Sequence, residues 1–295
     1  MRANASGNGA GLADVVTAWF ADAARDLPWR RPGTSPWAVL VSEVMLQQTP
    51  VARVIPAYDA WLARWPTPAA LAADSPGEAV RAWGRLGYPR RALRLHAAAV
   101  AIVDRYGGEP PAQVSALLSL PGVGDYTARA VAAFAFRQRQ PVVDTNVRRV
   151  VARVVEGVAD AAVSRADLVR IEQLLPADPE AAAVASAALM ELGAVICAAR
   201  APRCAACPVA IRCAWLAAGQ PALEASVRRP QGYAGTDRQA RGRLLAVLRD
   251  AHAPVPADLL EQVWAEPVQR DRALASLVQD GLVVALPGQR YDLPS

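Results

Sequence analysis

The sequence has 295 residues, of which 53% are hydrophobic and 20% charged, with a formal net charge of +5. That is enough apolar material for two or three compact units, which excludes a disordered chain, and the mild basicity leaves a polyanionic partner open. Apolar runs such as 182–189 are short and alanine-rich, and the opening MRANASGNGA has no apolar core of signal-peptide type, so no membrane span and a cytoplasmic location are expected.

Taken in chain order, apolar residues recur at helical spacing over 12–24, 37–47, 51–64, 77–84, 90–105, 113–119, 126–136, 145–155, 164–175 and 180–195, with Pro, Gly or Asp between them. The chain reads as all-α, with no strand expected before residue 280. Residues 217–237, rich in Pro, Gly and charge, read as a linker. Three short helices then follow over 238–250, 255–264 and 267–280, and GLVVALPGQRYDL reads as a hairpin around Pro-Gly. Three helices and a hairpin resemble a winged-helix module.

All four cysteines lie between Cys197 and Cys213, spaced C-x6-C-x2-C-x5-C. In a reducing compartment, clustered cysteines are metal ligands more often than disulfides, and four thiolates can hold one zinc ion or an iron–sulfur cluster. The same stretch carries Arg200, Arg203 and Arg212 and no acid, which suits a nucleic-acid backbone. From Pro121 to Arg153 there are six arginines against Asp125 and Asp144. That excess fits a polyanion, or a solvated helical face.

At LLSLPGVGDYTARAVAAF, residues 117–134, two helical patterns meet at a turn containing Gly122 and Gly124. Glycines permit the tight turn and expose amides at a helix start, where the dipole favours phosphate. The motif resembles the helix-hairpin-helix of DNA glycosylases, and VVDTNVRR follows, with Asp144 at a helix start where an anion is stabilised. The cysteine spacing resembles the [4Fe–4S] loop of endonuclease III-type and MutY-type enzymes. LPWRRPGTSPWAVLVSEVMLQQT (27–49) and AWGRLGYPRRALRLH (82–96) resemble segments of MutY-type adenine DNA glycosylases, and the likeness extends over roughly 12–217.

This resemblance implies an all-α helix-hairpin-helix glycosylase fold. Its parts would be an N-terminal segment (1–29) packing with the iron–sulfur domain, a six-helix barrel domain (30–140), the iron–sulfur cluster domain (141–216), the linker (217–237) and the winged-helix-like module (238–295). It implies adenine excision from a mismatch with 8-oxoguanine or guanine in double-stranded DNA; no residue pattern points to oligomerisation, and a monomer on DNA is expected. Glu43 would protonate the base, and a carboxyl in the apolar run VLVSEVML is either a buried mistake or an acid with a raised pKa. Asp144 would stay ionised beside the sugar, supported by Asn146. Arg30 would hydrogen-bond the flipped adenine, and Gln48 and Tyr88 would wedge near the opposing base. For these three the alternatives are a surface ion pair, a helix-end residue and core packing, respectively; Trp29 and Trp37 read as core. Cys197, Cys204, Cys207 and Cys213 would hold the cluster.

The chain contains no lysine. Endonuclease III-type enzymes attack the sugar with a lysine in the hairpin, where this sequence has Tyr126, so hydrolysis without strand cleavage is expected. Two departures from the family pattern, Pro89 and Thr145, adjoin the expected pocket. Family members commonly append a MutT-like domain that reads 8-oxoguanine through Phe-Ser-His, a tripeptide absent from the residues after 237, so the opposite-base preference does not carry over.

Overall fold

The computed structural model describes residues 11–160, 164–222 and 232–295. In chain order the helices are α1 (Leu12–Ala23), α2 (Pro36–Leu46), α3 (Val51–Arg64), α4 (Pro68–Ala72), α5 (Pro76–Trp83), α6 (Arg90–Tyr106), α7 (Val114–Leu118) and α8 (Asp125–Phe136). They continue as α9 (Thr145–Val151), which passes into a π-turn over Ala152–Glu156, then α10 (Arg165–Leu174), α11 (Pro179–Val195) and α12 (Ala214–Ala217). After these come α13 (Asp237–Asp250), β1 (Val255–Pro256), α14 (Ala257–Val263), α15 (Pro267–Gln279), β2 (Val284–Leu286) and β3 (Arg290–Asp292). Of the segment expected as a linker, 217–237, residues 223–231 lie outside the described residues. Among the described residues, no helix is long and apolar enough to cross a membrane.

The helix starts are written locally. Ser35-Pro36, Thr67-Pro68, Ser75-Pro76 and Asp178-Pro179 each pair a capping oxygen with a proline at the first helical position, and each cap accepts a backbone N–H two residues beyond that proline. At the far end of α6, Gly107 takes φ +65°, a left-handed conformation that glycine adopts without a steric penalty.

Contacts divide the chain into two units, Met1–Leu27 with Asp125–Ser226 and Pro28–Gly124 with Val227–Ser295. In the first, α1 packs on α11, α11 on α9, and α12 on the π-turn, around a core that includes Val16, Val150, Leu189 and Leu192. Arg25 ties the segment after α1 to this core: its Nε and Nη2 donate to the two carboxylate oxygens of Glu191 at 2.6 and 2.9 Å. Glu191 is fully buried, and a bidentate guanidinium partner is what makes such a site tolerable for a carboxylate.

In the second unit α6 packs against α2, α4 and α5, and α2 against α3. Trp61 meets Trp65 and Trp83 edge-on, with ring centroids 4.6 and 5.6 Å apart, and Trp37 Nε1 donates to Trp65 O at 3.0 Å. Trp29 and Trp37 are both buried, as core residues.

The residues after 237 form three helices with one strand between the first two and a hairpin after the third, in sheet order β1-β3-β2, which is a winged-helix arrangement. The expectation of no strand before residue 280 is corrected by β1, and the helix expected over 255–264 starts at Ala257 instead. Two residues are too few to show alternation. Pro256, which has no N–H to give, is accommodated because β1 lies at the sheet edge, antiparallel to β3.

This module is fastened to α5 by an exchange of arginines across two helix ends. Arg81 of α5 donates to the Ala251 carbonyl at 2.7 Å and to the Arg249 carbonyl, at the end of α13. Arg249 returns the bond, donating to Val80 O at 2.9 Å and to Gly84 O, at the end of α5. Each guanidinium thus serves carbonyls that a helix end leaves unpaired. Burial draws the Arg249 pKa down to about 10, so it remains charged at neutral pH. Nearby, Gly77 N donates to Pro294 O at 2.7 Å, and a Cβ on Gly77 would lie only 2.4 Å from that oxygen.

Replacing Arg249 with alanine strands the Val80 and Gly84 carbonyls. Thermal and chemical unfolding should show a loss of about 2–4 kcal/mol, of which Arg249→Lys recovers less than half. A loss below about 0.5 kcal/mol would show that the exchange contributes nothing to the docking.

Candidate active site and cysteine loop

Helix α2 carries Glu43. Every residue from Trp37 to Met45 is buried, and Glu43 itself is 5% exposed, so it is not a solvent-facing helix glutamate. Arg30 closes a 3-10 turn over Pro28–Arg30, next to Trp29, whose ring meets Tyr58 edge-on at 5.4 Å. Two of the expected probes stand out by backbone conformation. Gln48 follows α2 at φ +56° and is exposed, while Tyr88 precedes α6 at φ +46° and is 59% exposed. Exposure of Tyr88 removes the alternative of core packing.

The turn between α7 and α8 is closed by Val123 N donating to Leu120 O at 3.2 Å. Gly122 sits there at φ +79°, and a Cβ on it would meet Arg94 Cβ at 2.6 Å, so glycine is required on both counts. Gly122 and Gly124 are both exposed, which leaves the turn open to a phosphate. Tyr126, at the position of the family's lysine, packs its ring against Ala130, Ala133 and Val142.

Asp144 is the N-cap of α9, and its Oδ1 accepts the Val147 N–H at 2.7 Å. Asn146 Nδ2 donates to Asp144 Oδ2 at 2.8 Å, and Asn146 Oδ1 accepts from Arg149 Nη2 at 2.7 Å. Arg149 continues inward, donating to Gly193 O at 2.8 Å and, through Nε, to Cys197 O at 2.7 Å. Gly193 admits this crossing because any Cβ there would press within 2.7 Å of Asn146. Burial pushes the Asp144 carboxyl above the ordinary aspartate value; the Val147 and Asn146 donors and the Arg149 charge pull the other way. Sequence reasoning gave Arg149 no role, since two of its acceptors, Gly193 O and Cys197 O, lie more than forty residues along the chain.

The four cysteines are free thiols and line one concavity, with Arg153 and Trp215 in its wall. Arg153 stacks over Trp215 at 4.4 Å, and its Nη1 lies 3.5 Å from Cys197 Sγ and donates to Ala198 O at 2.8 Å. Burial raises the pKa of Cys197 and Cys207. Among the described residues, no group of three or more His, Cys, Asp or Glu side chains is arranged to hold a metal ion. Arg200, Arg203 and Arg212 are exposed, and Ile211 beside them is 95% exposed.

Glu43, Arg30, Gln48, Tyr88, Gly122 and Gly124 thus belong to one unit, and Tyr126, Asp144, Asn146 and the cysteines to the other.

Residues 41–161 match the model of the HhH-GPD superfamily of base excision DNA repair proteins. Over 279 residues the chain is 57% identical to the adenine DNA glycosylase of Mycolicibacterium smegmatis, covering 94% of each. Over 282 residues it is 54% identical to the adenine DNA glycosylase of Mycobacterium tuberculosis, covering 95% of this chain and 92% of that one. A solved thermostable thymine-DNA glycosylase superposes with a TM-score of 0.64 at 28% identity, over 70% of this chain and 95% of that one.

An aspartate whose folded pKa is raised stabilises the fold below its unfolded pKa and loses that contribution as pH rises through the folded one. Carboxyl NMR should therefore place the Asp144 midpoint above about 3.9, and Asn146→Ala should move it higher by removing a donor to the ionised form. Asp144→Asn should melt above the parent at neutral pH, with the gap closing as pH falls. A midpoint below the ordinary value would contradict the balance of burial and hydrogen bonding described.

Proposed function

Because the chain belongs to the HhH-GPD superfamily and, within it, to the adenine DNA glycosylases, we propose that it excises adenine mispaired with 8-oxoguanine or guanine in double-stranded DNA. The observation that carries this reading is Glu43, an acid buried within the apolar helix α2. Glu43 donates its proton to the departing base, at N7 of adenine as the family resemblance implies, which makes it a better leaving group. Asp144, held by the Val147 N–H and the Asn146 amide, supplies the negative charge that stabilises the oxocarbenium-like sugar. Water then adds at C1′ and leaves an abasic site. The adenine is first rotated out of the stack, at a cost of roughly a few kcal/mol that is smaller in a mismatch. Arg30 binds the extruded adenine, Gln48 and Tyr88 enter the stack near the opposing base, and the Gly122–Gly124 turn meets a backbone phosphate. The enzyme works as a monomer, in the cytoplasm.

The structural likeness to a thymine-DNA glycosylase favours a second reading, excision of thymine from a mismatch. Single-turnover assays on duplexes with A opposite 8-oxoguanine, A opposite G and T opposite G separate the two. Adenine loss from the first two, no activity on the third, a fall of about 100-fold or more in Glu43→Gln and no borohydride-trapped adduct are expected. A Glu43→Gln variant as active as the parent would overturn the assignment.

We assign the four cysteines to a [4Fe–4S] cluster. The support is their spacing, their shared concavity and the lack of disulfides among them. Ordering of such a loop is coupled to binding of its metal group, and Cys197, Cys204, Cys207 and Cys213 would supply the four thiolates that hold it. The cluster's part is to order the loop that carries Arg200, Arg203 and Arg212. Purified protein should contain about four irons per chain and show iron–thiolate charge-transfer absorbance in the visible, both lost in Cys207→Ser. Stoichiometric zinc without iron in protein made under iron-replete, anaerobic conditions would overturn it.

A further inference from the structure

The two exposed probes, Gln48 and Tyr88, sit on separate segments, each at a positive φ that its side chain disfavours. Such conformations persist only where the surroundings impose them. Here one side chain reaches both segments. Arg91, in the first turn of α6 and 6% exposed, donates through Nη1 to the carbonyls of Val44, Met45 and Gln47 at 2.8, 3.1 and 2.6 Å. These carbonyls lie at the end of α2, where the chain turns off at Gln48 and no further helical N–H is available. Through Nη2 the same guanidinium donates to Thr49 Oγ1 at 2.9 Å and to Gly87 O at 3.1 Å, the residues immediately after Gln48 and before Tyr88.

Four further contacts close the arrangement. Thr49 Oγ1 donates across to Leu86 O at 3.2 Å, and Trp83 Nε1 donates to Gly87 O at 2.9 Å. The guanidinium carbon lies 5.6 Å from the Tyr88 ring centroid and 5.2 Å from that of Trp83. Among the described residues, the five hydrogen bonds of Arg91 go to four carbonyls and one hydroxyl, none to a carboxylate. An arginine engaged in this way is poorly explained as a salt-bridge partner and well explained as a brace between segments.

We propose that Arg91 is the positioning residue that holds the Gln48 and Tyr88 segments ready to enter the base stack. This rests on the wedge role given to Gln48 and Tyr88 above. With both segments fixed before DNA arrives, neither has to be ordered as the adenine leaves the duplex. A lysine could not replace it, because one ammonium cannot span acceptors on both segments.

The test uses the full-length enzyme with Arg91→Lys, Tyr88→Ala and the double variant, on A opposite 8-oxoguanine. Arg91→Lys should lower the single-turnover excision rate by about 10–100-fold. Affinity for the duplex, dominated by phosphate contacts, should stay within about threefold, and the active fraction should be unchanged. The double variant should be no slower than Arg91→Lys by more than about twofold, because Arg91→Lys already unseats the Tyr88 segment. Fully multiplicative losses, a loss of active fraction in place of rate, or an Arg91→Lys rate within twofold of the parent would overturn the proposal. Parental rates in both Tyr88→Ala and Gln48→Ala, with Glu43→Gln inactive, would instead refute the wedge role and this proposal with it. If Arg91→Lys does not fold, Thr49→Val removes one of the acceptors and should show the same pattern at smaller amplitude.

Discussion

Guanidinium groups that donate to several backbone carbonyls at once hold this structure together where helix packing alone would leave ends unpaired. A helix terminates with carbonyls that have no internal partner, and in a protein of short helices such ends are many. Arg91 takes three carbonyls at the end of α2, Arg81 and Arg249 take those of each other's helices, and Arg149 takes Gly193 and Cys197 at the end of α11. The planar fork, with five N–H groups, makes this possible; a lysine ammonium, a single point with three donors, does not. The absence of lysine thus bears on architecture as well as chemistry. It removes every side-chain amine that could form a Schiff base, and the arginines that stand in its place can join segments.

The same device shapes the environment of Asp144. Its carboxyl would be costly to ionise at that depth, and the raised pKa reflects this. Asn146, held from behind by Arg149, presents its amide to the carboxylate, while the Val147 N–H at the start of α9 takes the other oxygen. The helix start and the arginine oppose burial and so favour the charged form of this carboxyl.

Much of this was legible in the sequence because it is locally encoded. Ser-Pro and Asp-Pro starts, the PGVG turn and the apolar pair before Asp144 act within a few residues, and most of the expected helices fall within a residue or so of where the periodicity puts them, although the short α4 and α12 gave no such pattern and α14 starts two residues late. Glu43 was legible for a different reason: an acid inside VLVSEVML has no polar face to occupy. What escaped was long-range. Strand β1 has two residues and exists because β3 lies beside it, the positive φ of Gln48 and Tyr88 contradicts their own preferences, and the acceptors of Arg91 and Arg149 are set by tertiary packing. The mycobacterial relatives confirm the family but are silent on which base lies opposite the adenine.

The clasp between Arg81 and Arg249 has a consequence for biosynthesis. The residues it joins are 168 apart in the chain, so a ribosome adding 5–20 residues per second leaves the end of α5 waiting roughly 10–30 s for its partner. During that interval the carbonyls of Val80 and Gly84 face water or a chaperone, and the surface that will receive the C-terminal strands stays uncovered. Nascent chains of this enzyme are therefore most exposed to proteases and to mispairing late in translation, after the helices that carry Glu43 and Asp144 have already emerged.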